Sequence, residues 1–283
     1  MKIEKILAGV DLGQDTEKVL AYASFFAKGL GAPLHLLHVM DYLVTPPAYL
    51  SPYIEEEKKI TEKKFGFWEK KLEDAGVSAV MEVTVGRLHE SFDSVVRKVK
   101  AGMLVLGFRS HTFRRSSSEG LIKGLEMPML VVRGVKAETA GIGSVKIRRI
   151  LCPTDFSDSS QKALESARNL KEIFSSELEV IHVLPGHVIK KMEAGENKDR
   201  AMEELSRQAT EGMKRFLSDA GLEKGGIVVE GKPHKKIASF SSENDTDLIV
   251  IGARGLSFIK GMLIGSVTDA VLKSSPCPVL VIH

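Results

Sequence analysis

The chain repeats itself. Lys2-Ile3-Glu4-Lys5-Ile6-Leu7-Ala8-Gly9-Val10-Asp11 matches Lys146-Ile147-Arg148-Arg149-Ile150-Leu151-Cys152-Pro153-Thr154-Asp155, at an offset of 144. The offset holds without a gap to His38-Val39 against His182-Val183. It becomes 145 by Gly86 against Gly231 and His89 against His234. Near the two ends, Met129-Leu130-Val131-Val132 matches Val279-Leu280-Val281-Ile282. A duplication of this kind means two homologous domains, 1–133 and 146–283, each of ordinary domain size. The stretch 134–145 is rich in Gly and Ala and has no apolar period, so it reads as a linker.

Each half alternates short apolar runs with helical periods. In the second half Arg149–Pro153, Leu178–Val183, Gly226–Glu230, Asp247–Ile251 and Pro278–Ile282 read as strands. Ser157 or Asp158 can cap the helix after the first strand, with Ala163, Leu164, Ala167 and Leu170 facing inward. A long helix is expected from about Asp199 to Leu217, with Met202, Leu205, Ala209, Met213 and Phe216 as a core stripe. Lys235 to Ser242 reads as a short helix. The first half follows the same plan, its long helix running from about Ile54 to Leu72 with Ile60, Phe65, Trp68 and Leu72 inward. Apolar strands alternating with helices give a parallel sheet covered on both faces, with right-handed crossovers. A ligand then belongs beyond the carboxyl ends of the strands, where strands one and four are neighbours.

One glycine pattern falls at that place. Gly252-Ala253-Arg254-Gly255 follows the fourth strand, and Gly265-Ser266 comes after nine intervening residues. Glycines there let backbone N–H groups approach an anion, and a helix starting near Gly265-Ser266 adds its positive end. Ser266 and Thr268 can add hydroxyls and Arg254 a charge. In the first half Gly107 and Gly120 remain, but Ser110 replaces the second glycine and Leu121 the serine. Five fewer residues separate Gly120 from Met127-Pro128 than Gly265 from Cys277-Pro278, so the helix behind that loop is expected to be truncated. Asp11 survives there, but Gly9-Val10 stands for Pro153-Thr154. Arg109, Arg114 and Arg115 could hold an anion, although a solvated basic loop is the simpler reading.

These motifs closely resemble the universal stress protein family in its tandem form, over nearly the whole chain. The resemblance implies two Rossmann-like domains of the adenine nucleotide α-hydrolase type, each a five-stranded parallel sheet of order 3-2-1-4-5. By the same resemblance, Asp155 lies near adenine with Pro153 and Thr154 beside it, and the backbone of Val183 meets the base. Gly252, Arg254, Gly255, Gly265, Ser266, Val267 and Thr268 match the family's ribose and phosphate loop. The implied ligand is ATP or AMP, with Mg2+ as a companion ion.

Other classes find less support. A formal charge of +3 with Lys and Arg scattered among Glu and Asp argues against a nucleic-acid groove. No apolar run reaches the roughly 20 residues of a membrane span. The N-terminus opens directly into a strand, so no signal peptide is expected and the cytoplasm is the expected compartment. Cys152 and Cys277 read as buried thiols rather than a disulfide framework. No Cys/His/Asp cluster has metal-ligand spacing, and no nucleophile has an evident base partner. His38 and His182 read as strand-end hydrogen-bonding residues, and His89 and His234 lie in matching turns. An ATP pyrophosphatase or nucleotidyltransferase of related fold would need an S-G-G-x-D loop or an H-x-G-H motif, and neither is present. The expectation is a stress-response regulator rather than an enzyme, with slow ATP hydrolysis at most. Its second domain binds nucleotide, and its first is structural or binds an unidentified protein partner. A nucleotide-free scaffold is the alternative. The two apolar last strands are expected to pair as an intramolecular pseudo-dimer, with a homodimer compatible with that.

Overall fold

The computed structural model describes residues 3–41, 50–108, 117–185, 196–256 and 263–283, with only the backbone at 117, 185, 196–199 and 201. Two compact units emerge: residues up to Arg133 with Ala137–Val145, and Gly134–Lys136 with Lys146–His283.

The first unit contains β1 (Ile6–Gly9), α1 (Thr16–Leu30), β2 (Leu34–Asp41), α2 (Ser51–Asp74), β3 (Ala79–Gly86), α3 (Leu88–Val99), β4 (Met103–Gly107), α4 (Ser117–Gly124) and β5 (Met129–Val132). Its sheet is parallel, in the order β3-β2-β1-β4-β5. A four-residue helix, α5 (Val135–Glu138), follows. The second unit contains β6 (Arg149–Thr154), α6 (Asp158–Phe174), β7 (Glu177–Pro185), α7 (Glu196–Asp219), β8 (Gly226–Gly231), α8 (Pro233–Glu243), β9 (Leu248–Gly252), α9 (Ser266–Ser274) and β10 (Val279–Ile282). Its sheet repeats the order as β8-β7-β6-β9-β10, again parallel. This is the order 3-2-1-4-5 that the resemblance implied.

The inner strands are buried on both faces, as parallel strands under two helical layers must be. Every residue of β9 is buried, and so is every residue of β6 after Arg149. Helix α6 is capped by Ser157, whose hydroxyl accepts from the N–H of Ser160 at 3.3 Å. Ala163, Leu164, Ala167 and Leu170 form its inner face. Ala209, Met213 and Phe216 of α7 are buried as a core stripe.

Two expectations need correction. Ile60 does not face inward: it is 50 % exposed, and Thr61 takes the buried position. Thr61, Phe65, Trp68 and Leu72 keep the helical period, while Ile60 stands one residue, about 100°, off that line. Nor is α4 truncated. It spans 8 residues against 9 in α9, and Gly120 lies inside it rather than capping it. Ser118 donates its hydroxyl to the carbonyl of Gly107 at 2.6 Å, as Thr268 does to Gly252 at 2.8 Å. Ser118 is therefore the counterpart of Thr268, and Leu121 is the counterpart of buried Val271, not of Ser266. The five missing residues fall in the loop after β4, between Gly107 and Ser118. The basic residues Arg109, Arg114 and Arg115, with Ser110, lie in that loop and outside the described residues.

Candidate nucleotide site in the second unit

Strand β6 ends in a loop that must turn sharply into α6. Phe156 makes the turn with φ 65, a left-handed conformation that is uncommon for a bulky residue. The N–H of Phe156 donates to the Thr154 hydroxyl at 2.9 Å, and that hydroxyl donates to Ser160 Oγ at 2.9 Å. Thr154 is thereby committed to holding the turn. Pro153 is buried within β6, paired with Ile181.

The turn projects Asp155 toward the end of β9. One carboxylate oxygen, Oδ1, accepts from the N–H and hydroxyl of Ser157 at 3.2 and 2.5 Å. The other, Oδ2, accepts from the N–H of Leu256 at 2.8 Å. A carboxylate offers about four acceptor positions, so one remains beyond the three bonds from described residues. Asp155 is thus both a turn residue and a tie between two loops.

The glycines follow from that tie. A Cβ on Gly255 would run into Asp155 Oδ2. Its φ is not in the left-handed region, so the requirement for glycine is space rather than conformation. A Cβ on Gly252 would lie 2.6 Å from the Ser159 hydroxyl and 2.8 Å from the Ser159 backbone. Ser159 also accepts from the N–H of Arg254 at 3.3 Å. Gly265 is different: a Cβ there would meet nothing closer than 3.5 Å. Its N–H donates to the carbonyl of Ala253 at 2.7 Å, which folds the far end of the loop back onto β9. That bond brings the first turn of α9 beside Gly255.

The first turn of α9 is chemically open. Asp269 bonds back to the carbonyl of Gly265 at 2.9 Å, but the N–H groups of Ser266, Val267 and Thr268 have no partner among the described residues. Ser266 and Val267 are exposed. The Ser266 hydroxyl is likewise uncommitted among the described residues, whereas that of Thr268 is spent on Gly252. Three orphan donors, one hydroxyl and a helix dipole suit an anion.

A step in the sheet lies beside them. The β6–β7 ladder ends at Thr154 against His182, while β7 continues along β8 to Pro185. Val183 therefore stands one residue past the end of β6, paired with Val229 on its other side. The His182 ring stacks on Phe156, with centroids 4.3 Å apart at 23°, and Phe216 meets Phe156 edge-on at 5.6 Å. His182 Nδ1 donates to the carbonyl of Thr154 at 2.9 Å. Burial lowers the His182 pKa, and the Thr154 bond and the Asp155 charge oppose that only in part. The ring is neutral at neutral pH.

Sequence reasoning missed Phe156 and Ser159 as builders of this place, and it read Ser157 as a helix cap without its bond to Asp155. A bulky residue at positive φ carries no sequence mark, although Leu12 repeats it with φ 57 in the first unit. There Asp11 Oδ1 accepts from the N–H of Gly13 at 2.9 Å and from the Thr16 hydroxyl at 3.2 Å. His38 bonds the carbonyl of Val10 at 2.8 Å, as His182 bonds Thr154. A Cβ on Gly9, at the position of Pro153, would lie 2.6 Å from Phe92 and 2.7 Å from Leu106. Among the described residues no three His, Cys, Asp or Glu come together as a metal site, and no helix is long and apolar enough to cross a membrane.

Two parallel sheets of this order, with a glycine loop at the switch point of the second, define tandem Rossmann-like domains. The chain belongs to the universal stress protein family, whose family model matches residues 2–133 and again 146–283. It is 33% identical over 156 residues to a universal stress protein of Methanocaldococcus jannaschii, covering 49% of this chain and 96% of that protein. It is 31% identical over 151 residues to a universal stress protein of Bacillus subtilis, covering 48% of this chain and 98% of that one. Over 99% of its length it shares the fold of a universal stress protein from Archaeoglobus fulgidus, with 24% identity, a TM-score of 0.71 and 96% of that chain covered.

Proposed function

We propose that the second unit binds an adenine nucleotide, ATP or AMP, and that occupancy of this site regulates a surface read by another protein. The observation that carries the reading is the open first turn of α9 held beside Gly255 and Asp155. The phosphates would take the N–H groups of Ser266, Val267 and Thr268 with the Ser266 hydroxyl, and Arg254 would supply charge. The base and ribose would lie toward Asp155, Pro153 and the sheet step at Val183. The remaining acceptor position on Asp155 suits an amino or hydroxyl donor. Mg2+ would travel with the phosphates of ATP rather than with a protein cage. A regulatory role fits a site where no activated nucleophile stands among the described residues, because a ligand that favours one conformation shifts the population a partner sees.

A scaffold without nucleotide has one observation in its favour. Gly252 and Gly255 are each required by packing against Ser159 and Asp155 alone. The unsatisfied donors of α9 have no such structural reason, and they support the nucleotide reading. Mass spectrometry of the small molecule released on heating freshly purified protein tests the choice. About one adenine nucleotide per chain supports the reading. Its absence, together with no binding of added ATP or AMP, would leave the scaffold.

A further inference from the structure

Helix α2 shows an apolar line that its own unit does not cover. Tyr53, Ile60 and Phe67 are 70, 50 and 58 % exposed, and they stand seven residues apart. Residues at that spacing lie on one line along a helix, here about 21 Å long. The helix packs inward through Thr61, Phe65 and Leu72 instead. Lys71 lies 4.9 Å from the Phe67 ring and still leaves the ring more exposed than buried.

The charges beside the line are segregated. Glu56 and Glu57 flank it between Tyr53 and Ile60, and Lys63 and Lys64 flank it between Ile60 and Phe67. All four are exposed. We infer that α2 is a self-association surface, which pairs antiparallel with α2 of a second copy of this chain across a two-fold axis near Ile60. In that arrangement Ile60 meets Ile60 of the partner subunit, and Tyr53 meets the partner's Phe67. Residues on the same flank face each other at mirrored heights. Glu56 then faces the partner's Lys63, and Glu57 faces the partner's Lys64, each contact occurring twice. A parallel pair would set Glu56 against the partner's Glu57 and Lys63 against the partner's Lys64. The charge pattern therefore selects one orientation and opposes the other. One helix face is a small area for a specific interface, so the dimer is weak and depends on concentration.

Sedimentation equilibrium of the full chain across a wide concentration range tests this. A reversible dimer is expected. Ile60→Glu places a charge on the axis twice and should weaken the dimer more than about tenfold. Glu56→Lys alone and Lys63→Glu alone should each weaken it, and the double variant Glu56→Lys/Lys63→Glu should restore it, because the pair re-forms with its signs exchanged. These are surface positions, and an unchanged melting temperature certifies the fold of each variant. A dimer indifferent to Ile60→Glu, or a double variant no better than either single one, overturns the inference. Monomer at every concentration also overturns it, and leaves the line to a helix of another protein.

Discussion

At Gly255 the Asp155 carboxylate occupies the space that a side chain would need. Gly255→Val should therefore push the loop away from β6 and abolish nucleotide binding. It should also destabilise the second unit by roughly 1–3 kcal/mol, the usual cost of overpacking. Calorimetric melting and an ATP titration of the same variant read both effects. Asp155→Ala removes three hydrogen bonds as well as a ligand acceptor. It should cost roughly 1–3 kcal/mol in affinity and lower the melting temperature, so intact stability with lost affinity would mean the tie to Leu256 carries no weight. His182 and His35 set the pH dependence. Burial lowers both pKa values, and at His35 the nearby Glu82 opposes that only in part. Between those lowered values and about 6.5 the unfolded chain binds more protons than the folded one. Stability should then fall as pH drops below about 6.5, and His182→Asn should remove part of the fall in urea denaturation. The thiols need no such test of function: burial pushes Cys152 up to about 12, so it is inert until unfolding.

Among the elements, strands were legible because a strand under two helical layers is a run of Val, Ile and Leu between glycines and prolines. The helix starts were legible where the chemistry is local, as at Ser157 before α6. What failed was register within a helix and alignment within a loop. Ile60 looked inward because it is apolar, but Thr61, one position on, keeps the period of Phe65 and Leu72. Gly120 reads as the counterpart of Gly265 because it is a glycine at nearly the right distance. The hydroxyl bond from Ser118 to Gly107 shows where the repeat resumes, and no spacing rule could supply that bond. This bond makes a prediction of its own. Thr268→Val keeps shape and removes the donor to Gly252, so it should cost about 1 kcal/mol and loosen α9 against β9. Hydrogen exchange at Val271 and Leu272 would report it. Unchanged protection there would mean that packing alone seats α9.

Across the whole molecule, the duplication gives one frame used twice with different endings. Both units keep an aspartate after the first strand, a left-handed residue next to it and a histidine bonded to the carbonyl just before that aspartate. They part at the loop after the fourth strand, shorter in the first unit and without a second glycine. That divergence was readable from sequence, although its position was misplaced. The roles of Phe156 and Ser159 were not readable, since their contacts depend on how two distant loops meet. The proposed division of labour is that the second unit binds nucleotide and the first does not. Titration calorimetry of nucleotide-free full-length chain with ATP measures it most directly. A single class of site at one ATP per chain is expected; two equal sites, or no binding at all, would overturn the proposal.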